Sequence, residues 1–442
     1  MRFYNRESEL AELLEIRKQA FADHSRFTLI TGRRRIGKTS LVLKSLSEEQ
    51  FAYLFVGKKS EAVLCAEFSR EINKVTGLEI PQELRTLQSL FSLFFQMIGT
   101  RKVTLFFDEF QELEQVNPGF MSDLQQFWDR NKEVTNVNLV ASGSVYTLMK
   151  KLFEDKKEPL FGRADNIIKV APFNVETLKQ ILLEHSPGYK NEDLLALYTI
   201  TGGVPKYVEL LCDNNVLTQK KMIDYIIRDN SPLLDEGKNL LVEEFGRNYS
   251  TYFSIITAIS RGYNTQNEIE SFVGKPNLGA QLLRLVEHYS ILKHRRPIMA
   301  KEGSQTVRYE IDDPFIRFWF RFIENYRPLV EMKAFERLRK IVTDEFAAYS
   351  GKLLERYFKE MLAASGRYLD IGSYWEARNR EQNEIDIVAI ESHKPKLALA
   401  AEVKRNPKEF RPIKLDAKVE HLEQKLLYGY QIERLCLSLN DM

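Results

Sequence analysis

Gly32-Arg33-Arg34-Arg35-Ile36-Gly37-Lys38-Thr39 is a stretch whose residue types and spacing suit one kind of chemistry, the holding of phosphate. Glycines flanking a short loop let backbone N–H groups turn inward around phosphate oxygens. The N-terminus of a following helix adds the positive end of its dipole. Lys38 is placed to reach the β- and γ-phosphates and the Thr39 hydroxyl to ligate Mg²⁺. The expected ligands are ATP and Mg²⁺, and the expected contacts are Gly32, Arg33, Arg34, Arg35, Ile36, Gly37, Lys38, Thr39 and Ser40.

Turnover needs acids as well as a cradle. The run "KVTLFFDEFQEL" ends its apolar part on Asp108-Glu109. Asp108 is expected to hold the Mg²⁺ shell and Glu109 to polarise the attacking water. A third apolar run, "NVNLVASGS", ends on Ser142-Gly143-Ser144, where a hydroxyl would contact the γ-phosphate or the water. Arg163 stands in a glycine-containing turn, and two readings of it stay open. It either stabilises transition-state charge, in cis or from a neighbouring subunit, or is a salt-bridged surface residue.

A second constellation lies near the C-terminus. Asp386 sits in the apolar run "NEIDIVAI", and fifteen residues separate it from Glu402-x-Lys404 in "LALAAEVKR". Side chains alternate along a strand, so Glu402 and Lys404 share a face and a hairpin would bring Asp386 beside them. Glu355, on the strongly helical stretch 343–364, lies close to that helix's buried side. Glu355, Asp386 and Glu402 are hard oxygen donors for a divalent cation that would activate water against a phosphodiester, with Lys404 positioning that water or neutralising charge. Residues 394–418 add eight basic side chains against three acidic ones, a rim suited to a polyanion. The plainer alternative is a mixed sheet with Glu402 and Lys404 as a solvated edge pair.

These residues must be carried by elements that the patterning supplies. Phe27–Thr31 reads as a strand and Leu41–Leu46 as the start of a helix, on either side of the phosphate loop. Gly202-Gly203-x-Pro205 reads as a tight turn between helices. From Ser250 three helical patterns and two strands around a flexible tip suggest a winged helix. Its third helix is read from Lys275, with Asn277, Gln281 and Arg284 on its polar side. Over residues 284–308 six basic side chains, Arg295 and Arg296 among them, face two acidic ones. Lys275, Asn277, Gln281, Arg284, Arg295 and Arg296 are the expected DNA contacts. The competing reading is a charged module that packs on other domains. The aromatic segment 311–327 reads as a helix docking into a core.

A chain of 442 residues exceeds one compact domain, and 44% hydrophobic with 29% charged residues is ordinary globular composition. The net charge of +2 means that any basic surface is local. Three cysteines, far apart, support neither a disulfide framework nor a zinc site. No uncharged apolar run reaches the roughly 18 residues of a membrane span, and the charged N-terminal stretch has no signal-peptide core. A cytoplasmic protein without membrane partners is expected.

Taken in order, "FYNRESELAELLE", "GRRRIGKTSL", "FFDEFQEL", "ASGS", "PLFGRA" and "TGGVPKYVE" resemble archaeal-type AAA+ ATPases close to the STAND signalling ATPases. The resemblance covers roughly residues 1–330 and implies an α/β P-loop core of the ASCE type, with a parallel sheet and a small helical lid. By that likeness Ser144 or Ser142 is the first sensor, Arg163 a candidate arginine finger and Pro205 the lid residue facing nucleotide. The C-terminal carboxylates and lysine resemble the PD-(D/E)XK nuclease superfamily, with a restriction-endonuclease-like α/β fold, although "NEID" lacks the proline before Asp386. The expected domains are an ATPase core at 1–172, a lid at 173–245, a winged helix at 246–330 and a nuclease-like domain at 331–442. The expected function is Mg²⁺-dependent ATP hydrolysis controlling a DNA-binding C-terminal module, with cleavage of the DNA by that module left open. The alternative is a STAND-like signalling or scaffolding switch whose nuclease-like domain only binds DNA or protein. A second copy or another protein stays open as a partner.

Overall fold

A computed structural model describes residues 2–144, 146–245, 249–300, 307–376 and 383–442. Lys301 and Glu302, counted above in the charged segment, lie outside the described residues. The chain divides into two compact units, one of residues 1–173 with 204–207, the other of residues 174–203 with 208–442.

The first unit is built on five parallel strands: β1 (Arg26–Thr31), β2 (Ala52–Phe55), β3 (Lys102–Asp108), β4 (Asn136–Ser142) and β5 (Asn166–Lys169), in the order β2-β3-β4-β1-β5. The central strands are near-continuous apolar runs because both faces are covered, as parallel sheets require. Period-two alternation divides the core. Phe27, Leu29 and Phe107 join a cluster with the helices Glu61–Thr76, Leu87–Ile98 and Phe120–Asn131. Their sequence neighbours Ile30 and Phe106 pack on the other face with the helices Glu7–Ala22 and Lys38–Ser45. β4 lies between β1 and β3, so the strand bearing the phosphate loop and the strand bearing Asp108 are one strand apart.

The second unit opens with helices, including Val175–His185, Asn191–Thr201, Gln219–Ile226 and Glu236–Phe245. Three further helices (Tyr249–Ser260, Gln266–Val273 and Gly279–Glu287) precede an antiparallel pair, β6 (Leu292–Arg295) with β7 (Arg308–Ile311). A capping box of Thr265 and Glu268 starts the second of these helices and left-handed Gly274 ends it. The third starts at Gly279 rather than Lys275, because Asn277 is left-handed (φ 61°) and breaks the helix before it.

The aromatic segment is a short α-helix, Pro314–Phe318, that continues as a π-turn, Trp319–Ile323. Trp319 is fully buried and donates its indole N–H to the Leu234 carbonyl (2.9 Å). A Cβ on Gly237 would stand 2.2 Å from its ring, so only glycine fits there.

A 30-residue helix, Phe335–Ala364, then leads into β8 (Asp370–Tyr374), β9 (Ile385–His393) and β10 (Lys396–Lys404). The helix Pro412–Lys425 crosses over to β11 (Gln431–Ser438). The sheet order is β11-β10-β9-β8, antiparallel except for the parallel β10–β11 pair. Among the described residues no helix is long and apolar enough to cross a membrane.

Candidate functional site

The phosphate loop runs from the end of β1 into the helix Lys38–Ser45. Its two glycines are needed for different reasons. A Cβ on Gly32 would come 2.6 Å from the Val170 carbonyl oxygen, whereas Gly37 has open space but a φ of 90°. Within the loop the Ile36 side chain points into the core, leaving its backbone as the part available to a ligand. The Lys38 ammonium, almost buried, donates to the Gly32 and Arg33 carbonyls (2.8 and 3.0 Å). Pro205 opens a helix whose next residue, Lys206, donates its N–H to the Arg35 carbonyl (3.4 Å), and the Arg35 guanidinium lies over the Tyr207 ring.

Across the intervening strand, Asp108 is the hub. Its Oδ2 accepts from the Thr39 hydroxyl (2.9 Å) and the Tyr53 hydroxyl (2.9 Å), and its Oδ1 from the Ser142 hydroxyl (2.5 Å). Burial, with the adjacent Asp108 carboxylate, pushes the Tyr53 phenol above its ordinary pKa, so Tyr53 stays a donor. A hydroxyl and a carboxylate within one hydrogen bond of each other form the hard-oxygen donor set that Mg²⁺ takes beside a nucleotide, so Thr39 and Asp108 fit that ion.

Glu109 sits in the left-handed region (φ 57°, ψ 42°), a conformation that costs a non-glycine residue on the order of 1 kcal/mol. Its carboxylate is fixed by the Ser144 hydroxyl (2.6 Å) and the Gln111 amide (2.7 Å). Gln111 is itself lodged under Gly143, where a Cβ would be 2.4 Å from the Gln111 amide oxygen. The two serines thus divide the two acids, Ser142 on Asp108 and Ser144 on Glu109. Tyr53, Gln111 and Gly143 have no place in the expected set. Gln111 falls two residues after Glu109 in "DEFQ", which is the one signal that could have suggested it.

Arg163 makes a two-point pair with Asp129 (3.1 and 3.4 Å) and donates to the Phe161 carbonyl. None of these partners belongs to the phosphate loop, which favours the salt-bridge reading. Arg163→Ala is expected to lower thermal stability by about 1 kcal/mol or less and leave ATP turnover unchanged. Steady-state phosphate release would check it, and a large loss of turnover would restore the finger.

At the second constellation the β9–β10 register pairs Ala401 with Ile387, so Glu402 and Asp386 are the next residues across the ladder. Lys404 bridges them, 2.7 Å from Glu402 and 3.5 Å from Asp386, while Lys418 takes the other Glu402 oxygen (2.6 Å). Burial pulls the Lys404 ammonium down, but the Glu402 and Asp386 carboxylates outweigh it and hold its pKa above the ordinary value. Asp386 also accepts the Val403 N–H (2.9 Å). Glu355 pairs with Lys352 (2.9 Å); burial, with Asp386 nearby, raises its pKa.

The expected cation ligands are therefore neighbours, yet among the described residues no three carboxylate, histidine or cysteine side chains converge as a metal-holding group. The Lys404 ammonium pairs with both Asp386 and Glu402, the acids where the expectation put a divalent cation.

The expected DNA contacts divide. Lys275, Asn277, Arg284 and Arg296 are exposed. Gln281 points inward, its amide oxygen buried without a hydrogen-bond partner. Arg295 is also turned inward, pairing with Glu310 (2.6 Å) and the Ser373 hydroxyl (2.6 Å) and lying over the Trp375 ring. The chain after β6 continues onto β8, where the Ile298 N–H meets the Ser373 carbonyl (2.8 Å). Arg295 thus leaves the DNA-facing set because the end of β6 packs on the C-terminal sheet, and Gln281 leaves it because its amide oxygen is buried.

Residues 3–211 match the model of an ATPase domain found predominantly in Archaea, and residues 319–413 match a model of "Archaea bacterial proteins of unknown function". The chain is 29% identical over 416 residues to the uncharacterized protein MJECL04 of Methanocaldococcus jannaschii, covering 91% of this chain and 87% of the relative. The uncharacterized protein MJ0424 of the same organism is 37% identical over 79 residues, which are 18% of this chain and 77% of that relative. Among solved structures the Walker-type ATPase PABY2304 of Pyrococcus abyssi is similar, with 20% identity and a TM-score of 0.50 over 72% of this chain and 96% of that one. At that identity the likeness is one of fold.

Proposed function

We propose that the protein hydrolyses ATP with Mg²⁺ and uses the cycle to control a DNA-binding C-terminal module; the match of residues 3–211 to an ATPase domain predominantly from Archaea supports the first half of this reading. The observation that carries the nucleotide half is the contact between Thr39 and Asp108 (2.9 Å), with Glu109 held one residue further on by Ser144. Mg²⁺, when bound, would neutralise charge on the β- and γ-phosphates. The chain's own residues do the rest. Lys38 exchanges loop carbonyls for phosphate oxygens, Asp108 and Thr39 hold the cation, and Glu109 accepts a proton from water oriented by Ser144.

The DNA half of the reading rests on three helices followed by an antiparallel strand pair, the element order of a winged helix, with exposed Lys275, Arg284 and Arg296, and on a C-terminal unit that runs helix, three antiparallel strands, helix, parallel strand. Asp386, Glu402 and Lys404 lie together as in the PD-(D/E)XK nucleases, which supports cleavage as a second reading. Against it, Lys404 and Lys418 already neutralise Glu402, which favours binding without cutting.

Supercoiled DNA incubated with the protein and Mg²⁺ or Mn²⁺, with and without ATP, separates these. The expected result is a gel shift that weakens as salt rises. Nicking that disappears in both Asp386→Ala and Lys404→Ala would establish the second reading instead. A wild-type chain that neither shifts nor nicks DNA under any of these conditions removes DNA from the proposal.

A further inference from the structure

The second unit contains a cavity of about 390 Å³ between the β6–β7 pair, β8 and the helix Phe335–Ala364. Its size is that of a small-ligand pocket. Seven lysine or arginine residues line it against three glutamates. The three glutamates are already matched: Glu310 with Arg295 (2.6 Å), Glu355 with Lys352 (2.9 Å) and Glu360 with Arg356 (2.7 Å). Lys293 pairs with Asp312 outside the lining (3.0 Å). That leaves Arg296, Arg317 and Lys359 with no carboxylate at ion-pair distance among the described residues.

One point in the cavity wall sharpens the imbalance. The Lys359 ammonium and the Arg295 guanidinium both donate to the hydroxyl of Ser373, each at 2.6 Å. That hydroxyl donates to the Asp386 carbonyl (2.8 Å), so two cations converge on one neutral, saturated oxygen. Glu310 offsets Arg295, but Lys359 has no carboxylate at ion-pair distance, and a cation so placed in a cleft is costly unless an anion offsets it. Burial, followed by Arg295, lowers the Lys359 pKa to about 8, and the more distant Glu355 and Glu310 carboxylates do not outweigh them.

We propose that this cavity binds a phosphate group carried by a small molecule, with Lys359, Arg296 and Arg317 as its principal contacts. Three donors of fixed or adjustable geometry around one pocket suit a phosphate dianion, which offers several oxygens to arginine forks and a lysine point charge. Apolar lining by Ile311, Pro314 and Leu353 gives room for an organic part such as a nucleoside. The site is separate from the phosphate loop of the first unit and does not depend on how that unit is read.

The test uses the full chain carrying Lys38→Ala, which disables the phosphate loop, and calorimetric titration with inorganic pyrophosphate and with AMP. Binding of either probe is expected, weakened about tenfold or more by Lys359→Gln and by a smaller factor by Arg296→Ala. AMP alone binding would identify a nucleotide as the source of the phosphate, and pyrophosphate alone a bare anion; either supports the site. Without ligand, the Lys359→Gln chain is expected to melt no lower than its parent. Should it fail to fold, Arg296→Ala and Arg317→Gln carry the comparison. Absence of binding by both probes, or binding that these substitutions leave unchanged, overturns the proposal. So does a short DNA duplex that binds through the same three residues when neither probe does.

Discussion

Glu109→Gln is expected to abolish most ATP turnover, by about 10²- to 10⁴-fold, while nucleotide affinity stays as it was. The amide is nearly isosteric and its oxygen still accepts from the Ser144 hydroxyl, so the loop and its neighbours keep their places. What is lost is the ability to take a proton as water attacks. Such a loss in rate is on the order of 3–5 kcal/mol of barrier, more than any surface ion pair in the first unit contributes to stability. Phosphate release measured beside the binding of a fluorescent ATP analogue gives both numbers. Turnover equal to wild type would remove Glu109 as the base. A matching fall in affinity would instead point to collapse around the left-handed backbone at residue 109, where an observed φ of 57° leaves little tolerance.

The second large effect is expected far from either constellation. Gly237→Ala places a methyl group 2.2 Å from the Trp319 ring, and the ring cannot retreat because its indole N–H is committed to Leu234. Overpacking of this kind costs about 1–3 kcal/mol, and the upper end applies here. Trp319→Ala alone should cost about 3–5 kcal/mol, the range for deleting a fully buried aromatic side chain. In the double variant the methyl group finds space, so the two losses should add to less than their sum. Urea unfolding followed by circular dichroism measures all three chains. Strict additivity would mean that residues 237 and 319 are not in contact.

How much of this was legible beforehand follows from the range of each interaction. The phosphate loop, Asp108, Glu109 and the two serines are read from short stretches whose chemistry is local, and the structure brings them within hydrogen-bond reach. The pairing of Asp386 with Glu402 and Lys404 follows from strand alternation and a short hairpin turn. Tyr53 was invisible because it comes from β2, a half-buried strand with no motif, and meets Asp108 only through parallel pairing. Gln281 and Arg295 depart from expectation for a related reason. Periodicity distinguishes an apolar face from a polar one but does not say whether a polar side chain meets solvent or is turned inward, as Arg295 is toward Glu310 and Ser373. Lys418 shows the limit for charge: it comes from a helix outside the motif, and only packing brings its ammonium 2.6 Å from Glu402.

The strand order of the first unit also has a bearing on how the chain is made. β1, at residues 26–31, pairs with β4 and β5 and not with β2 or β3. During synthesis its neighbours do not exist until residues 136–142 have been added. At ribosomal speeds of roughly 5–20 residues per second, that interval lasts several to about twenty seconds. Meanwhile β2 and β3 can join each other, and the helices Glu61–Thr76 and Leu87–Ile98 can begin to cover them. The apolar strand that carries the phosphate loop must wait, its edges unmatched.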